Sequence, residues 1–446
     1  MRTFQALLGL VLVAAAAQAV FAAALIPTPE FTGHPIPTAE HPDPVARLPL
    51  RDWLDVAAVA AGIALASYFA LRRRTRRGLF LLAVVSLAWL GFWRKGCICP
   101  IGAIQNITLA LFDRFYVVPA AAVVMFVLPL VATLFFGRTF CAAVCPLGAV
   151  QELAAVRPIR VPVWLDHALG LLAYVYLGAA VLFAATGSAF VICRYDPFVG
   201  LFRLSAGLDM LVFSGVMLVI GMFVGRPYCR YLCPYGAILG WLAHLSRRHV
   251  RIPPEECIQC RLCEESCPYG AIREPTVTPP AGKLRRGRRR LTVALILLPV
   301  LIAVGAILGR RLEAPLAGVH PTVQLAEQMW LESRGLVEGT TEASEAFRNS
   351  GRPPESLYAE ARTLSHRIGL AGGWLGAWVG LVFGLKLIHL AIRRRRTGYQ
   401  PDPARCVACG RCFWYCPGEQ ARRGWIEGLA PKGTGRTNEP RRAEDV

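Results

Sequence analysis

Two stretches of this 446-residue chain carry the same run of cysteines, Cys257-x2-Cys260-x2-Cys263-x3-Cys267-Pro268 and Cys406-x2-Cys409-x2-Cys412-x3-Cys416-Pro417. Three thiolates at two-residue gaps let one turn hold three corners of an iron-sulfur cubane. The fourth cysteine lies too far along to close the same cluster, and in two-cluster proteins with this spacing it ligates the other one. The spacing therefore assigns Cys257, Cys260, Cys263 and Cys416 to one 4Fe-4S cluster, and Cys406, Cys409, Cys412 and Cys267 to a second. The competing use, a structural zinc site, takes two C-x2-C pairs across a longer spacer. Two complete copies, each ending in Cys-Pro, argue for iron.

A second class of cysteine lies in a repeat. GRTFCAAVCPLGAV (Gly137 to Val150) and GRPYCRYLCPYGAI (Gly225 to Ile238) share Gly, Arg, both Cys, Pro, Gly and Ala. A weaker copy is KGCICPIGAI, Lys95 to Ile104. The i,i+4 spacing of Cys141/Cys145 and of Cys229/Cys233 puts two sulfurs on one helix face, and Pro146 or Pro234 is expected to end or kink that helix. The four thiols together could hold a further iron-sulfur centre; the plainer alternative is that buried free cysteine acts as a small hydrophobe. Cys97, Cys99 and Cys193 form a third group, with Asp196 available as a non-thiol ligand. A Cys97–Cys193 disulfide is the other reading of that group.

These residues must be positioned by membrane helices. Hydrophobic residues make up 55% of the chain and charged ones only 17%, below the roughly 25% usual for soluble domains. Apolar segments long enough to span a bilayer, or nearly so, run over about Phe4–Ile26, Trp53–Leu71, Gly78–Trp93, Tyr116–Phe136, Val163–Thr186, Leu208–Val224, Leu291–Leu308 and Ile368–Ile392. The net charge of +20 is no diffuse basic surface. Three runs, Arg72 to Arg77, Lys283 to Arg290 and Arg393 to Arg396, each abut an apolar segment and read as topology signals, which excludes a nucleic-acid partner. With the N-terminus inside, alternate crossings put all three runs, both 4Fe-4S motifs and the first two repeat copies on the cytoplasmic side. The third copy then lies outside and inverted, an arrangement common in membrane proteins that handle a species near the midplane.

His167, His244 and His389, near the inner face, could ligate haem or a quinol but read more simply as interfacial residues. Trp89, Trp93, Trp164, Trp241, Trp374 and Trp378 read as a membrane-interface belt, and Gly372, Gly373, Gly376 and Gly380 as a close helix-packing stripe. No dinucleotide, phosphate-cradling or G-x-S-x-G motif is present.

The paired GR-x2-C-x3-CP-x-GA motifs on membrane helices, followed by the C-x2-C-x2-C-x3-CP runs, resemble the 4Fe-4S binding membrane polyferredoxins of the NosR, NapH/MauN and CcoG type. The resemblance covers about residues 50–420. It implies an all-α polytopic membrane protein of seven to eight transmembrane helices, with a cytoplasmic ferredoxin-like (α+β) two-cluster module assembled from two separated segments. The implied role is electron transfer across the bacterial inner membrane, from a cytoplasmic donor or the quinol pool to a periplasmic reductase or flavoprotein. That makes the chain an electron-transfer component rather than a stand-alone enzyme. A maturation or regulatory factor for a periplasmic metalloenzyme such as a nitrous oxide reductase, and a quinol dehydrogenase, are the alternatives. The NosR type carries an FMN-binding periplasmic domain with a threonine attachment motif; that motif does not occur here, so no covalent FMN is expected on this chain.

The chain accordingly divides into a signal peptide or first helix (1–26), a proline-rich periplasmic linker (27–52) and a membrane redox core (53–250). A first ferredoxin motif (251–282), a basic run with a transmembrane helix (283–309) and a periplasmic helical loop (310–367) follow. A last transmembrane helix with its basic run (368–396), the second ferredoxin motif (397–420) and a disordered tail (421–446) complete it.

Overall fold

The computed structural model describes residues 49–96, 100–204, 207–252, 257–276, 281–392, 396 and 398–426. The expectations for residues 1–26, for most of the linker and the tail, and for the structure around Cys97 and Cys99 fall outside the described residues.

The described chain is mostly helical. Five helices are long and apolar enough to cross a membrane: Leu50–Arg72, Arg76–Trp93, Val163–Ala185, Gly287–Arg311 and Pro354–Ala391. Pro197–Arg203 and Leu208–Phe223 form a sharply bent pair that passes the same test jointly. One of the expected spans is shorter than its apolar run, since Pro119 starts the helix late and leaves Ala120–Phe136, whereas Leu208–Phe223 matches its run to within one residue. The apolar run 163–186 breaks at Gly170 into Val163–Leu169 and Leu172–Ala185. Pro100–Phe112, after the third motif copy, is a further short apolar helix.

The Gly287–Arg311 helix carries Leu295, Ile296, Val300, Val304 and Ile307 exposed on successive turns. A helix left apolar on its open side is stable where lipid covers it. It packs along Pro354–Ala391 through a glycine seam. A Cβ added at Gly305, Gly309, Gly376 or Gly380 would collide with the backbone of the facing helix, so the two backbones approach as closely as small-xxx-small packing allows. The glycine stripe expected at Gly372 to Gly380 is thus one half of this seam. The hairpin is tied to the Leu172–Ala185 helix by Trp378, whose Nε1 donates to the Tyr174 carbonyl at 2.8 Å and whose ring fills the space over Gly178. Trp378 therefore also packs between helices, where its N–H finds a backbone acceptor.

Between the hairpin's helices, Pro321–Ser333, Glu342–Asn349 and the start of Pro354–Ala391 enclose a small core of Ala326, Met329, Phe347, Leu357 and Ala361. The loop is helical, as its composition predicts.

The two cysteine runs meet. Ile272–Arg273 pairs antiparallel with Gln400–Pro401, and Leu262–Glu265 packs on Arg411–Tyr415. The sheet of this small module is only two residues per strand, so the ferredoxin-like part is mostly loop and short helix. It rests on the end of the membrane core that carries Arg74, Arg76 and Arg77. Arg74 pairs with Glu419 at 3.0 Å and lies over the Phe413 ring, and Arg77 lies over Trp414. The run Arg72 to Arg77 is thus more than a topology signal, since half of it forms the docking surface for the second cysteine run.

Candidate functional site

In each membrane motif the chain makes two short helices with the second cysteine between them. Thr139–Ala143 is followed by Pro146–Ala154, and Pro227–Tyr231 by Pro234–Ala243; Cys145 and Cys233 occupy the extended N-cap positions. The expected single face for an i,i+4 pair is therefore corrected. The proline ends the cysteine helix as expected, by holding Cys145 or Cys233 extended, and also opens the next one, where its missing N–H costs nothing and its fixed φ suits the first helical position. Cys233 Sγ acts as a cap, accepting from Gly236 N at 3.2 Å.

The two copies interlock through the residues they share. Arg226 donates to the carbonyls of Cys141 and Ala142. A Cβ at Gly148 would meet Arg226 Nη1 at 3.0 Å, and one at Gly236 would meet Arg138 Nη2 at 3.3 Å. Each motif's arginine thus lies across the other motif's glycine, which is why the repeat needs both. Arg138 is buried, stands 3.9 Å from Cys141 Sγ and feels Cys233 and Cys229 as well. Its Nε has no partner among the described residues. Cys141, Cys229 and Cys233 lie within electrostatic reach of one another, and Cys145 is buried in the same core. Two buried guanidiniums beside grouped thiols suit a centre that carries net negative charge through thiolate ligands.

In the docked module, Cys267, Cys406, Cys409 and Cys412 line one small cavity. Cys416 instead stands with Cys260, Cys263 and Cys257. Each run's fourth cysteine has crossed to the other run's three. A four-sulfur donor set fits a cubane at each place. Among the described residues no three His, Cys, Asp or Glu side chains close around a single metal ion; a cubane's ligands must stand further apart. Cys141 touches the group of Tyr269, Ala271 and Val407 that also contacts Cys267, Cys406 and Cys409, so the membrane sulfurs and the second run are near neighbours.

Two carboxylates that motif reading passed over fasten the module to the core. Glu152, buried, accepts from Tyr269 at 2.6 Å and pairs with Arg411 at 2.8 Å, Arg226 at 3.3 Å and Arg76 at 3.4 Å. Burial alone would raise its pKa, but Arg411, Arg226 and Arg76 with the Tyr269 hydroxyl hold it well below the usual carboxylate range. Asp166 pairs with Arg230 at 2.6 Å, pairs with Arg405 and accepts from Tyr231 at 3.0 Å. The one signal available in the sequence was an acid within an otherwise apolar stretch, since such residues are costly and are kept only where a partner exists.

Cys193 is exposed and sits against Gly102, at 3.3 Å from the position of a Cβ there. It thus lies at the start of the helix that follows Cys97 and Cys99. Asp196 caps its own helix instead of standing free, with Oδ1 accepting from Phe198 N at 2.9 Å and Val199 N at 3.3 Å. His167 Nδ1 faces Arg405 at 3.2 Å, while His244 and His389 both line a cavity of about 400 Å³ that also reaches Cys229 and Cys233.

Apolar helices of membrane length, with grouped cysteine sulfurs on the short segments between them, define the class of a membrane-associated 4Fe-4S binding protein. A 4Fe-4S binding domain family matches residues 118–171 and 206–253, and a second matches 250–273. The chain is similar to the putative electron transport protein YccM of Escherichia coli K12, with 32% identity over 117 residues, which are 24% of this chain and 33% of that one. It is also similar to the protein NirI of Paracoccus denitrificans, with 34% identity over 214 residues, 45% of this chain and 31% of that one. These likenesses support the resemblance to the membrane polyferredoxins of the NosR and NapH type. The matches span about a third of the length of each relative. No solved structure matches the chain.

Proposed function

We propose that this protein relays electrons across the bacterial inner membrane, between cytoplasmic 4Fe-4S clusters and a periplasmic acceptor such as a reductase or flavoprotein. Bound clusters supply one-electron chemistry; the chain's part is to hold and space them. Cys257, Cys260, Cys263 and Cys416 would hold one, and Cys406, Cys409, Cys412 and Cys267 the other. Cys141, Cys145, Cys229 and Cys233 would hold a third centre at the inner edge of the bilayer, and Cys97, Cys99 and Cys193 a site at the outer edge. The observation that carries this reading is the docking of the crossed cysteine module directly onto the membrane motifs, with Cys141 in contact with the module's core. Seven to eight spans, with the arginine runs inside, would place the module in the cytoplasm.

The direct test puts the reconstituted protein in liposomes with a reductant on one side and an acceptor dye on the other. Transfer above that of Cys→Ser variants is expected, and equal rates would end the relay reading. Iron and acid-labile sulfide per chain, measured after anaerobic purification, test the ligand sets; zinc without iron would refute them.

One observation favours a quinol as the electron source. The cavity of about 400 Å³ beside Cys229 and Cys233 is lined by Tyr174, Trp241, His244, Lys386 and His389, a flat aromatic wall with groups able to take up protons. Transfer that depends on added menaquinol would support this branch.

A further inference from the structure

The structure pairs two glutamines that the motif comparison does not align with any ligand. Gln151 follows Cys145 in CPLGAVQ, and Gln105 follows Cys99 in CPIGAIQ, at the same spacing of six. Both are wholly buried. Gln151 Oε1 accepts from Tyr228 N at 3.0 Å, and its Nε2 donates to Cys229 Sγ at 3.2 Å. Gln105 Oε1 accepts from Ile192 N at 3.0 Å and Cys193 N at 3.3 Å. Each glutamine therefore clamps the backbone at the start of a Cys-Arg-Tyr sequence, Cys229-Arg230-Tyr231 in one case and Cys193-Arg194-Tyr195 in the other. The likeness continues one turn on. Cys233 caps the helix opened by Pro234, and Asp196 caps the helix opened by Pro197. One difference remains: Gln105 Nε2 is buried with no partner among the described residues, where its counterpart donates to sulfur and to the Leu147 carbonyl at 2.7 Å. A buried amide donor left unmatched is costly, on the order of 1–3 kcal/mol, which marks a place for an acceptor.

We infer that Gln151 is a positioning residue that donates its amide N–H to the Cys229 sulfur of an iron-sulfur centre, and that Gln105 holds the Cys193 backbone in the equivalent way without reaching its sulfur. This rests on the reading that the inner-edge membrane site holds iron. An N–H···S bond draws electron density from the sulfur and favours the more negative, reduced state of the centre. Gln151 therefore raises the reduction potential of that centre and leaves the others unchanged.

The experiment is an EPR-monitored redox titration of the anaerobically purified, full-length protein and of Gln151→Leu and Gln105→Leu, with iron counted in each. Wild type is expected to hold more than the roughly eight irons of two 4Fe-4S clusters. Both variants should keep their iron, and Gln151→Leu alone should shift the signal of the membrane centre to lower potential by about tenfold in its reduction equilibrium, which is about 59 mV for one electron. Full iron content with every potential unchanged overturns the inference. Only eight irons in wild type overturns the membrane-cluster reading beneath it, which is a distinguishable result. Because a leucine also leaves Tyr228 N or Ile192 N unmatched and could unfold the site, the wild-type protein labelled with 15N at the glutamine amide serves as a second measurement. A nitrogen hyperfine coupling to the reduced membrane centre is expected, and none would overturn the proposal.

Discussion

The Tyr269 hydroxyl donates to the Glu152 carboxylate across 2.6 Å. Tyr269 stands two residues beyond Cys267 in the docked module, and Glu152 one residue beyond Gln151 in the membrane core. With Arg411 reaching the same carboxylate from the second cysteine run, Glu152 joins both halves of the module to the membrane motifs.

Removing that carboxylate leaves the buried guanidiniums of Arg76 and Arg226 and the half-buried one of Arg411 without their counter-charge. Breaking a buried ion pair by deleting one partner costs about 3–5 kcal/mol. Glu152→Ala is expected to destabilise the protein by that order in detergent unfolding and to expose the module to limited proteolysis. Arg352→Ala, which breaks an exposed pair with Glu360 and a cation–π contact with Phe347, should cost less, about 1–2 kcal/mol.

Acid should loosen the same joint. Glu152 titrates below its unfolded value because Arg411, Arg226 and Arg76 outweigh burial. Asp402, at the foot of the second run, is likewise lowered by Arg273 against burial. Their stabilisation is complete above the unfolded carboxylate range and is lost as the pH falls through the depressed folded values. Stability should hold flat from neutral pH to about pH 4.5 and fall below that. In Glu152→Gln the fall should be shallower, as followed by intrinsic fluorescence.

The crossed sulfurs predict which losses add. Cys416→Ser and Cys257→Ser should each remove about four irons per chain, and the double variant no more than either alone, because both would strike one cluster. Cys416→Ser with Cys267→Ser should remove about eight. Additive loss for Cys416 with Cys257 would assign the fourth cysteine to its own run instead.

Gly376 lies on the Gly305 backbone of the facing helix. Gly376→Leu is expected to force the hairpin apart at a cost of at least 1–3 kcal/mol for overpacking. Gly287→Leu, where an added Cβ meets nothing within 4 Å, should be tolerated. Cross-linking of cysteines introduced on the two helices would report the separation.

What could be read from the chain alone was what depends on short spacing. The gaps within each cysteine run limit how three sulfurs can surround a cubane, and long apolar runs announce membrane-length helices, so the sulfur groups and the presence of such helices, five among the described residues, were legible before any coordinates. Spacing also implied the i,i+4 helix face at Cys141 and Cys145, and there it misled, because proline is as able to open a helix as to end one. The tertiary structure alone decided the contacts between residues far apart in the chain. Arg226 over Gly148, Glu152 among three arginines and the crossing of Cys416 to Cys263 are set by packing of distant segments, and no local period records them. The same holds for Gln105 and Gln151: a glutamine in an apolar helix states that a polar partner is needed, and only the fold says that the partner is the backbone beside a cysteine.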